Sequence, residues 1–289
     1  MKEKTFLLLT ILTLVFSTAN SQDGAANKRL GASSSETIKI MSFNIQIFGV
    51  SKMARPEVAA VLADIVSKAD LIAVQEVRSL VIDPVEQFMA LLPDTYKYVI
   101  GPRQGRSSSK EQYWMIYDSE KIAVLDEDSW PDENDIFERS PYAVYFKTKG
   151  SFDFILLNNH IQPGAAEKEI RALPNVIMYY ADLWKDPDVL VVGDFNADGQ
   201  YFDSSLLDSI FTEIEYKIIF TDEDTTLAQS HNTYDRFIIT NSAIEDFTGN
   251  FGVIRFDETY NFDDYSISPR NISDHYPIWA DFWVNHDTD

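Results

Sequence analysis

The segment Leu190–Asp198 constrains the fold of this chain more than any other part of its sequence. Three consecutive apolar residues, Leu190 to Val192, predict a buried strand, and Gly193 ends it. Asp194 and Asn196 follow at alternate positions. The sequence therefore places a carboxylate and a carboxamide, both able to bind a metal or a phosphate, together at the end of a strand.

The same segment also resembles the first half of an EF-hand calcium loop, because acidic and amide side chains alternate along Asp194–Asp198 and Gly199 follows. The resemblance stops there. Ser205 occupies the position at which such a loop requires glutamate, and a β-rich run precedes the segment where a helix is required. An EF-hand is therefore the weaker interpretation.

Composition sets broad limits on the class of protein. The chain has 289 residues, 45% of them hydrophobic, which is enough to bury the core of one catalytic-size domain. Its formal net charge is -22 and its pI is near 4.4. Such a surface repels nucleic acid and anionic membranes at long range, so a polyanionic substrate would need a local basic patch or bound cations.

The first residues have the pattern of a secretory signal peptide. Lys2 and Lys4 precede an apolar run, Phe6 to Phe16, and small residues lead up to Ser21. We expect residues 1–21 to be removed by cleavage near Ser21 and the protein to be secreted; an uncleaved membrane anchor is the alternative. Residues 22–37 are small and polar, which predicts a disordered linker, and residues 38–285 form the predicted catalytic domain.

Hydrophobic periodicity in the rest of the chain predicts many short strands and few helices. The predicted helices are Arg55 to Lys68, Val85 to Leu92 and Ala165 to Trp184, the last starting or bending near Pro174. This pattern favours an α/β (α+β) fold with two packed sheets, helices outside them and a cleft at one sheet edge. The predicted strands are residues 38–45, 71–74, 97–100, 112–117, 121–125, 142–147, 152–158, 190–192, 216–220, 236–240 and 277–284.

Polar side chains collect where these strands end. Only four histidines occur in the chain, and two of them belong to this set. Each residue alone is more typical of an ordinary surface position, but the set as a whole has the composition of a hydrolytic metal site. The set comprises Asn44, Glu76, Glu111, His160, Asp194, Asn196, Asp235, Asp274 and His275.

With these residues in order, the chain resembles the endonuclease/exonuclease/phosphatase superfamily and, within it, the secreted deoxyribonuclease I type. The resemblance covers Ile38 to Val284. The superfamily motifs are Ser42-Phe43-Asn44-Ile45, Gln75-Glu76-Val77, Asn159-His160, Gly193-Asp194-Phe195-Asn196 and Ser273-Asp274-His275-Tyr276-Pro277. Features of the deoxyribonuclease I type are Arg78, Pro93-Asp94-Thr95-Tyr96, Gly105-Arg106, Lys110-Glu111, Phe137 with Arg139, and Tyr234-Asp235-Arg236.

The resemblance implies a four-layer sandwich of two mostly antiparallel sheets flanked by helices, and hydrolysis of a phosphodiester by in-line attack of water. It implies a catalytic Mg²⁺ or Mn²⁺, for which hard oxygen ligands are suited. It also implies an acid and a base, His160 and His275, oriented by Glu111 and Asp235 respectively. The implied metal ligands are Glu76, Asn44, Asp194 and Asp274, and Asn196 is expected to hold the phosphate oxygen.

Substrate contacts are expected from a basic stretch, residues 97–110, which contains four cations and no acid. The family places this region beside the minor groove of DNA, where phosphate contacts position a duplex without reading its sequence. A solvated flexible loop is the alternative interpretation. The resemblance also assigns substrate contacts to Arg78, Arg106, Arg139 and Tyr234, whereas Ser109 stands where the family has a stacking tyrosine.

A structural Ca²⁺ site is expected from Asp224, Thr226 and Ser230, which match the calcium loop of the family. A second calcium site near Asp135 is not expected, because Ser140 stands where its acidic ligand should be. Since the chain has no cysteine, the family's disulfides are missing as well.

The leading functional hypothesis is a secreted, metal-dependent endonuclease that cuts DNA, mainly double-stranded, with low sequence specificity. We expect a monomer and no membrane partner. The alternative within the superfamily is a sphingomyelinase-like phosphodiesterase or phosphatase acting on a lipid head group or phosphoinositide, for which the candidate membrane hairpin is Asn250 to Phe262. A binding protein without catalysis is disfavoured because no member of the metal and histidine set is lost.

Overall fold

A computed structural model describes residues 36–212 and 214–287 of the chain. The predicted signal peptide and residues 22–35 of the predicted linker lie outside the described residues. The first strand of the described residues starts at Thr37, one residue before the predicted start at Ile38. Among the described residues, no helix has the length and apolar character needed to cross a membrane.

The strands are β1 (Thr37–Phe48), β2 (Leu71–Val77), β3 (Tyr96–Ile100), β4 (Gln112–Asp118), β5 (Ile122–Ser129), β6 (Tyr142–Thr148), β7 (Asp153–His160), β8 (Val189–Asp194), β9 (Tyr216–Ile218), β10 (Asp235–Thr240), β11 (Phe247–Val253) and β12 (Ile278–Trp283). They form two six-stranded sheets, ordered β11-β12-β1-β2-β4-β3 and β5-β6-β7-β8-β10-β9. Each sheet contains a single parallel pair, β1 with β2 and β7 with β8, and its other neighbouring strands are antiparallel.

The helices are short apart from two, and five of the short ones lie outside the three stretches predicted to be helical. Three single 3-10 turns occur at Pro163–Ala165, Ser204–Leu206 and Pro269–Asn271. The α-helices are α1 (Val50–Met53), α2 (Pro56–Val66), α3 (Asp83–Met89), α4 (Ala166–Ile170), α5 (Leu173–Trp184), α6 (Leu207–Ile210), α7 (Asn241–Asp246), α8 (Phe256–Thr259) and α9 (Phe262–Tyr265).

Three apolar cores separate four layers. The central core lies between the sheets and includes Ile40 and Leu71 from one sheet and Leu156 from the other. The two outer cores lie between a sheet and its helices, as with Leu62 of α2 and Val176 of α5. Burial of each such side chain contributes about 1.5–3 kcal/mol to stability. The order of sheets and helices confirms the predicted four-layer α/β sandwich, in which two mostly antiparallel sheets are flanked by helices.

The parallel pairs determine where the site can form. The carboxyl ends of β1 and β2, and those of β7 and β8, each lie side by side. Gly193 permits the second of these arrangements, because a Cβ at this position would lie 1.9 Å from the carbonyl oxygen of Asn159 and its φ is +139°. Both parallel pairs therefore deliver polar residues to one edge of the sandwich.

The helix predicted at Ala165 to Trp184 is interrupted at Arg171 and Ala172, and α5 begins just before Pro174, where the prediction placed a start or a bend because proline fits the first turn of a helix. Strand β11 was not predicted, because two of its seven residues are glycines and three consecutive residues are exposed, so the alternation typical of a half-buried strand is missing.

Candidate active site

The predicted catalytic and metal residues converge at the edge where the two sheets meet. Asn44, in β1, is fully buried, and its Nδ2 donates hydrogen bonds to Glu76 Oε1 at 3.2 Å and to Asp194 Oδ2 at 3.1 Å. Glu76 belongs to the same sheet as Asn44, whereas Asp194 ends β8 in the other sheet. One amide thus brings together two carboxylates from different sheets.

A second cross-sheet bond lies directly behind this amide. The side chain of Gln75 donates from Nε2 to Asn158 Oδ1 at 2.7 Å, and Asn158 Nδ2 donates to the carbonyl oxygen of Val74 at 3.1 Å. All of these groups are buried. Buried hydrogen bonds of this kind fix the relative position of the two strands that carry Glu76 and His160.

His160 ends β7 and lies against Glu111, the residue before β4. Its Nδ1 is 3.1 Å from Glu111 Oε1, and the same carboxylate oxygen lies 2.7 Å from Arg139 Nη1. Burial opposes ionisation of Glu111, but His160 and Arg139 hold the pKa of its carboxyl below the usual range. Glu111 is therefore an ionised group that fixes the orientation of His160.

His275 lies just before β12 and contacts Asp235, the first residue of β10. Its Nδ1 is 2.8 Å from Asp235 Oδ2. Burial lowers the pKa of His275, but Asp235 and Asp194 outweigh this effect and raise it to about 10. Together the two histidine–carboxylate pairs have the arrangement expected for groups that transfer protons.

Asp194 lies between the two histidines. Its Oδ2 is 3.5 Å from Nε2 of His160 and 3.5 Å from Nε2 of His275. Burial alone would raise the pKa of Asp194, yet the two histidines lower it below its usual value. Its other oxygen accepts a bond from the backbone N–H of Asn196 at 3.0 Å, and Asn196 Nδ2 in turn donates to the carbonyl oxygen of Ile161 at 2.9 Å.

The backbone at this edge adopts rarely populated conformations. Gln46, Ile47 and Glu76 have positive φ values of 47°, 52° and 64°, which is uncommon for residues other than glycine and an outlier for a β-branched one. The resulting turn directs the N–H of Gln46 to Asn44 Oδ1 and that of Ile47 to Glu76 Oε2, each at 3.0 Å. Such local strain is typical of functional sites.

The donor set fits a hard divalent cation. Two groups bring ligand atoms within 4.8 Å of one another: Glu76 with Glu111 and His160, and Asp194 with Asp235 and His275. Carboxylate oxygens of this kind suit Mg²⁺ and Mn²⁺. Asp274, predicted as a ligand, belongs to neither group among the described residues.

Comparison with known proteins accounts for this arrangement. The endonuclease/exonuclease/phosphatase family matches residues 41–275, which include both histidine–carboxylate pairs. This chain is a deoxyribonuclease I-like member of that family. It is therefore a phosphodiester-hydrolysing nuclease, as the sequence motifs predicted.

The relatives are similar to the nuclease over most of their length. Deoxyribonuclease-1 of Mus musculus is 31% identical over 256 residues, covering 84% of this chain and 90% of the relative. Deoxyribonuclease-1 of Homo sapiens is 32% identical, with 84% and 91% covered. Deoxyribonuclease-1-like 2 of Mus musculus is 30% identical, with 88% and 94% covered.

Solved structures share the fold at low sequence identity. An endonuclease/exonuclease/phosphatase family protein from Bacteroides thetaiotaomicron has a TM-score of 0.59 at 16% identity and covers 88% of this chain and 98% of its own. The human Nocturnin catalytic domain has a TM-score of 0.58 at 13% identity, with 85% and 93% covered. These similarities support the four-layer fold.

The predicted substrate residues divide into two classes in the nuclease. Arg78 borders the site: its Nη2 is 2.9 Å from Glu76 Oε2, and its Nη1 donates to Ser109 Oγ at 2.8 Å. Tyr234 lies at the rim, with its ring 6.4 Å from that of His275. Arg139, in contrast, is largely buried behind the site, where its Nε donates to the carbonyl oxygen of His160 at 3.0 Å.

In the basic stretch, residues 97–110, two of the cationic side chains contact other groups of the protein. Arg106 Nη2 contacts both the carbonyl oxygen and Oδ1 of Asp135, each at 2.8 Å. Arg103 donates to the backbone carbonyls of Ser79 and Lys110. Lys110 is exposed. These contacts connect Arg103 and Arg106 to neighbouring segments of the protein.

The predicted calcium loop forms a turn directly ahead of Asp235. Asp224 Oδ1 accepts from the backbone N–H groups of Thr226 and Asn232, each at 3.3 Å, and its Oδ2 is 3.6 Å from Arg255 Nη1. The hydroxyl of Ser230 accepts a bond from Asn232 Nδ2 at 2.7 Å. The loop thus has its expected oxygen atoms, some of which already have protein partners.

Two buried cations near the site were not predicted. Lys52 donates from Nζ to the carbonyl oxygens of Ile45 and Ile272, and Arg236 donates to those of Phe220 and Ala197. Arg236 follows Asp235 directly, and the Tyr234-Asp235-Arg236 motif offered a signal for it. Lys52 had no such signal, because a lysine between Ser51 and Met53 is typical of an exposed position.

Proposed function

We propose that this nuclease is a secreted, metal-dependent endonuclease that hydrolyses phosphodiester bonds of DNA, mainly double-stranded, with low sequence specificity. The observation that carries the proposal is the position of Asp194 Oδ2, 3.5 Å from Nε2 of both His160 and His275. Each histidine has its own buried carboxylate partner. The names of the relatives, Deoxyribonuclease-1 and Deoxyribonuclease-1-like 2, support DNA as the substrate.

The proposed chemistry is in-line attack of water on a backbone phosphate. A bound Mg²⁺ or Mn²⁺ would supply charge neutralisation at the phosphate oxygens. Glu76 and Asp194 would hold it, with Asn44 fixing both carboxylates and Asp274 contributing negative charge nearby.

The protein residues supply the proton transfers and the orientation of the phosphate. One histidine takes a proton from the attacking water while the other donates one to the leaving oxygen, and Glu111 and Asp235 keep each imidazole in its orientation. Asn196 is held by Asp194 and Ile161, and we assign the second N–H of its side-chain amide as a donor to a phosphate oxygen. Preorganised polar groups of this kind stabilise developing charge without rearranging.

Low sequence specificity follows from the kind of contacts available. Arg78 and Lys110 offer cationic groups beside the site, and such groups contact phosphates, which carry no sequence information. Because the chain has a net charge of -22, this local attraction works against long-range repulsion. Salt should therefore affect DNA binding in both directions, weakening the contacts while screening the repulsion.

The proposal is tested with the purified mature protein on three substrates: supercoiled plasmid, RNA and sphingomyelin vesicles. Each is incubated with Mg²⁺, Mn²⁺ or a chelator, and a double variant, His160→Ala with His275→Ala, controls for contaminating nucleases. We expect nicked and then linear plasmid only with a divalent cation. Equal cleavage by the double variant, or cleavage of RNA or lipid alone, would refute the proposal. Amino-terminal sequencing of protein recovered from the medium tests secretion and cleavage near Ser21.

For the alternative of a lipid substrate, two aromatic residues of the predicted membrane hairpin are buried, but a different apolar surface is exposed. Phe256 and Phe262 are buried in the core beneath one sheet, so Asn250 to Phe262 is not a membrane wedge. Three consecutive aliphatic residues next to Arg78, Leu80 to Ile82, are instead exposed, Leu80 by 84%. Exposed apolar runs of this kind indicate an interaction surface, and for this reason the vesicle arm belongs in the experiment.

A further inference from the structure

Lys52 is a buried lysine next to the candidate cation site. It lies on the short helix α1, immediately after β1, and its side chain is 9% exposed. Lysine is almost never fully buried unless its charge is compensated by close partners. Its Nζ donates to two backbone carbonyl oxygens, of Ile45 at 2.5 Å and of Ile272 at 2.6 Å. The ammonium group therefore connects two chain segments, one at Ile45 and one at Ile272.

Both carbonyls belong to segments that carry predicted metal ligands. Ile45 directly follows Asn44, and Ile272 precedes Asp274 by two residues. The hydroxyl of Ser273 adds a parallel connection, because it donates to the carbonyl oxygen of Asn44 at 2.6 Å. Lys52 and Ser273 together fasten the segment that bears Asp274 and His275 to the end of β1.

The Ile45 carbonyl also marks the start of the strained turn described above. Gln46 and Ile47, both at positive φ, direct their N–H groups to Asn44 Oδ1 and Glu76 Oε2. An unusual backbone conformation persists only when the surrounding structure holds it. The bond from Lys52 to Ile45 holds the first residue of this turn from the inside of the protein.

The charge of Lys52 has no carboxylate partner in direct contact. Among the described residues, no ion pair involves its ammonium, and Asp274 and Glu76 attract it from a greater distance. Burial lowers the pKa of Lys52 to about 8, against the opposing effect of these two acids. A lysine that only stabilised the fold would gain more from an ion pair with a carboxylate. Lys52 instead donates hydrogen bonds to two carbonyl oxygens that flank the cation site.

We propose that Lys52 is a positioning residue for the cation site, holding the turn after Asn44 and the segment before Asp274 so that Asn44 and Glu76 are preorganised for a divalent cation. This inference rests on the metal dependence proposed above. Groups that orient metal ligands typically affect metal affinity or activity by 10–100-fold when they are removed. Lys52 acts through the backbone segments that it holds and does not touch the reacting atoms.

The test measures cation binding directly, without substrate. Mn²⁺ dissociation constants are determined by electron paramagnetic resonance for the wild type and for four variants of the mature protein: Lys52→Met, Lys52→Gln, Glu76→Gln and the matched control Lys185→Met, whose side chain is 74% exposed. Thermal melts establish that each variant is folded. Plasmid cleavage then gives kcat and KM as a function of Mn²⁺ concentration.

We expect Lys52→Met to weaken Mn²⁺ binding by about tenfold, at the lower end of the range for such groups, and Lys185→Met to leave it unchanged. The kcat of Lys52→Met should fall at limiting Mn²⁺ and recover as Mn²⁺ is raised, while KM for DNA stays constant. Lys52→Gln keeps one donor group and should bind Mn²⁺ with intermediate affinity. If Lys52→Met does not fold, the affinity of Lys52→Gln decides the question.

Unchanged or tighter Mn²⁺ binding in a folded Lys52 variant would overturn the proposal; tighter binding would mean that the ammonium acts only by repelling the cation. A kcat reduced equally at all Mn²⁺ concentrations, with affinity unchanged, would also overturn it. The Mn²⁺ titration of Glu76→Gln distinguishes a wrong role for Lys52 from a wrong proposed function. If the wild type binds no Mn²⁺ that depends on Glu76, the proposed metal site itself is wrong.

Discussion

The side-chain amide of Asn44 donates a hydrogen bond to Asp194 across the boundary between the two sheets, at 3.1 Å. Each sheet therefore supplies part of one site, and neither sheet alone holds a complete set of groups. The same amide also contacts Glu76 at 3.2 Å, so two carboxylates that would repel each other share a donor between them. Correct packing of the central core is consequently a condition for catalysis as well as for stability.

The paired histidines lead to the first prediction. His160→Ala and His275→Ala should each lower the rate of plasmid cleavage by roughly 10²-fold or more, the scale for loss of a general acid or base. Thermal melts should show both variants folded. His231→Ala is the matched control, because His231 is exposed and contacts the loop near Asp222. Near wild-type nicking by either active-site variant under identical metal conditions would remove that histidine from the mechanism.

The second prediction concerns stability and pH. The pKa of His275 is raised to about 10 in the folded protein, whereas that of histidine in an unfolded chain is about 6.5. The stabilisation from its protonated form is therefore complete below about pH 6.5 and is lost as the pH rises toward 10. With divalent cations chelated, the difference in melting temperature between the wild type and Asp235→Asn should be largest near pH 6 and should shrink toward pH 10.

Comparison between the two proteins is essential here, because other groups titrate over the same range in both. Lys52, whose pKa is lowered to about 8, has the opposite effect: folding disfavours its charged form, so it adds stability as the pH rises. A difference that stays constant from pH 6 to pH 10 would show that Asp235 does not control the protonation of His275.

Arg139 gives the third prediction. The resemblance to nucleases assigned it to the substrate, but the structure places its guanidinium against Glu111 and the carbonyl oxygen of His160. Arg139→Met should therefore lower kcat by about tenfold or more, with little change in KM. The reason is that the buried carboxylate of Glu111 loses its cationic partner and no longer holds His160 in position. Arg171→Met, at an exposed ion pair with Glu167, should change either parameter by less than about threefold. A rise in KM alone for Arg139→Met would restore the substrate assignment.

Much of the fold was accessible from the sequence because its strands are short, apolar and bounded by polar residues. The buried run Leu190 to Val192 became the interior of β8, which continues through Gly193 to Asp194, beyond the glycine predicted to end it. The break before α5 followed from Pro174, which cannot donate within a helix. Strand β11 was not predictable in this way, because it is an edge strand whose glycines remove the alternation that identifies strands.

The candidate site was predictable as a set of residues but not as a geometry. Motif order identified His160, His275 and their carboxylates, whereas the shared position of Asp194 between them depends on how two sheets pack. The positive φ values at Ile47 and Glu76 could not be read from residue types that normally avoid them. Burial of Lys52 was equally hidden, because tertiary contacts with Ile272, distant in sequence, create it.

The final prediction is that Ca²⁺ stabilises this protein through the loop that contains Asp224, Thr226 and Ser230. The loop lies directly ahead of Asp235, and Thr226 pairs with His275 in an isolated bridge, so an ion bound here would tie down one half of the candidate site. The chain has no disulfide to serve this purpose. Asp224 already faces Arg255 at 3.6 Å, and therefore Ca²⁺ has to compete with a guanidinium for its carboxylate.

The measurement is a thermal melt of the wild type, Asp224→Ala and Arg255→Gln with Ca²⁺, with Mg²⁺ alone or with chelator. A ligand that binds only the folded state at about a hundred times its dissociation constant adds about 2.7 kcal/mol, which for a domain of this size is a rise of several degrees. We expect this rise in the wild type, its loss in Asp224→Ala and a larger one in Arg255→Gln, because removal of the competing guanidinium leaves the carboxylate to the ion. Mg²⁺ alone controls for binding at Glu76 and Asp194. Equal Ca²⁺ shifts in the wild type and Asp224→Ala, or none in the wild type, would identify the loop as a turn without a metal.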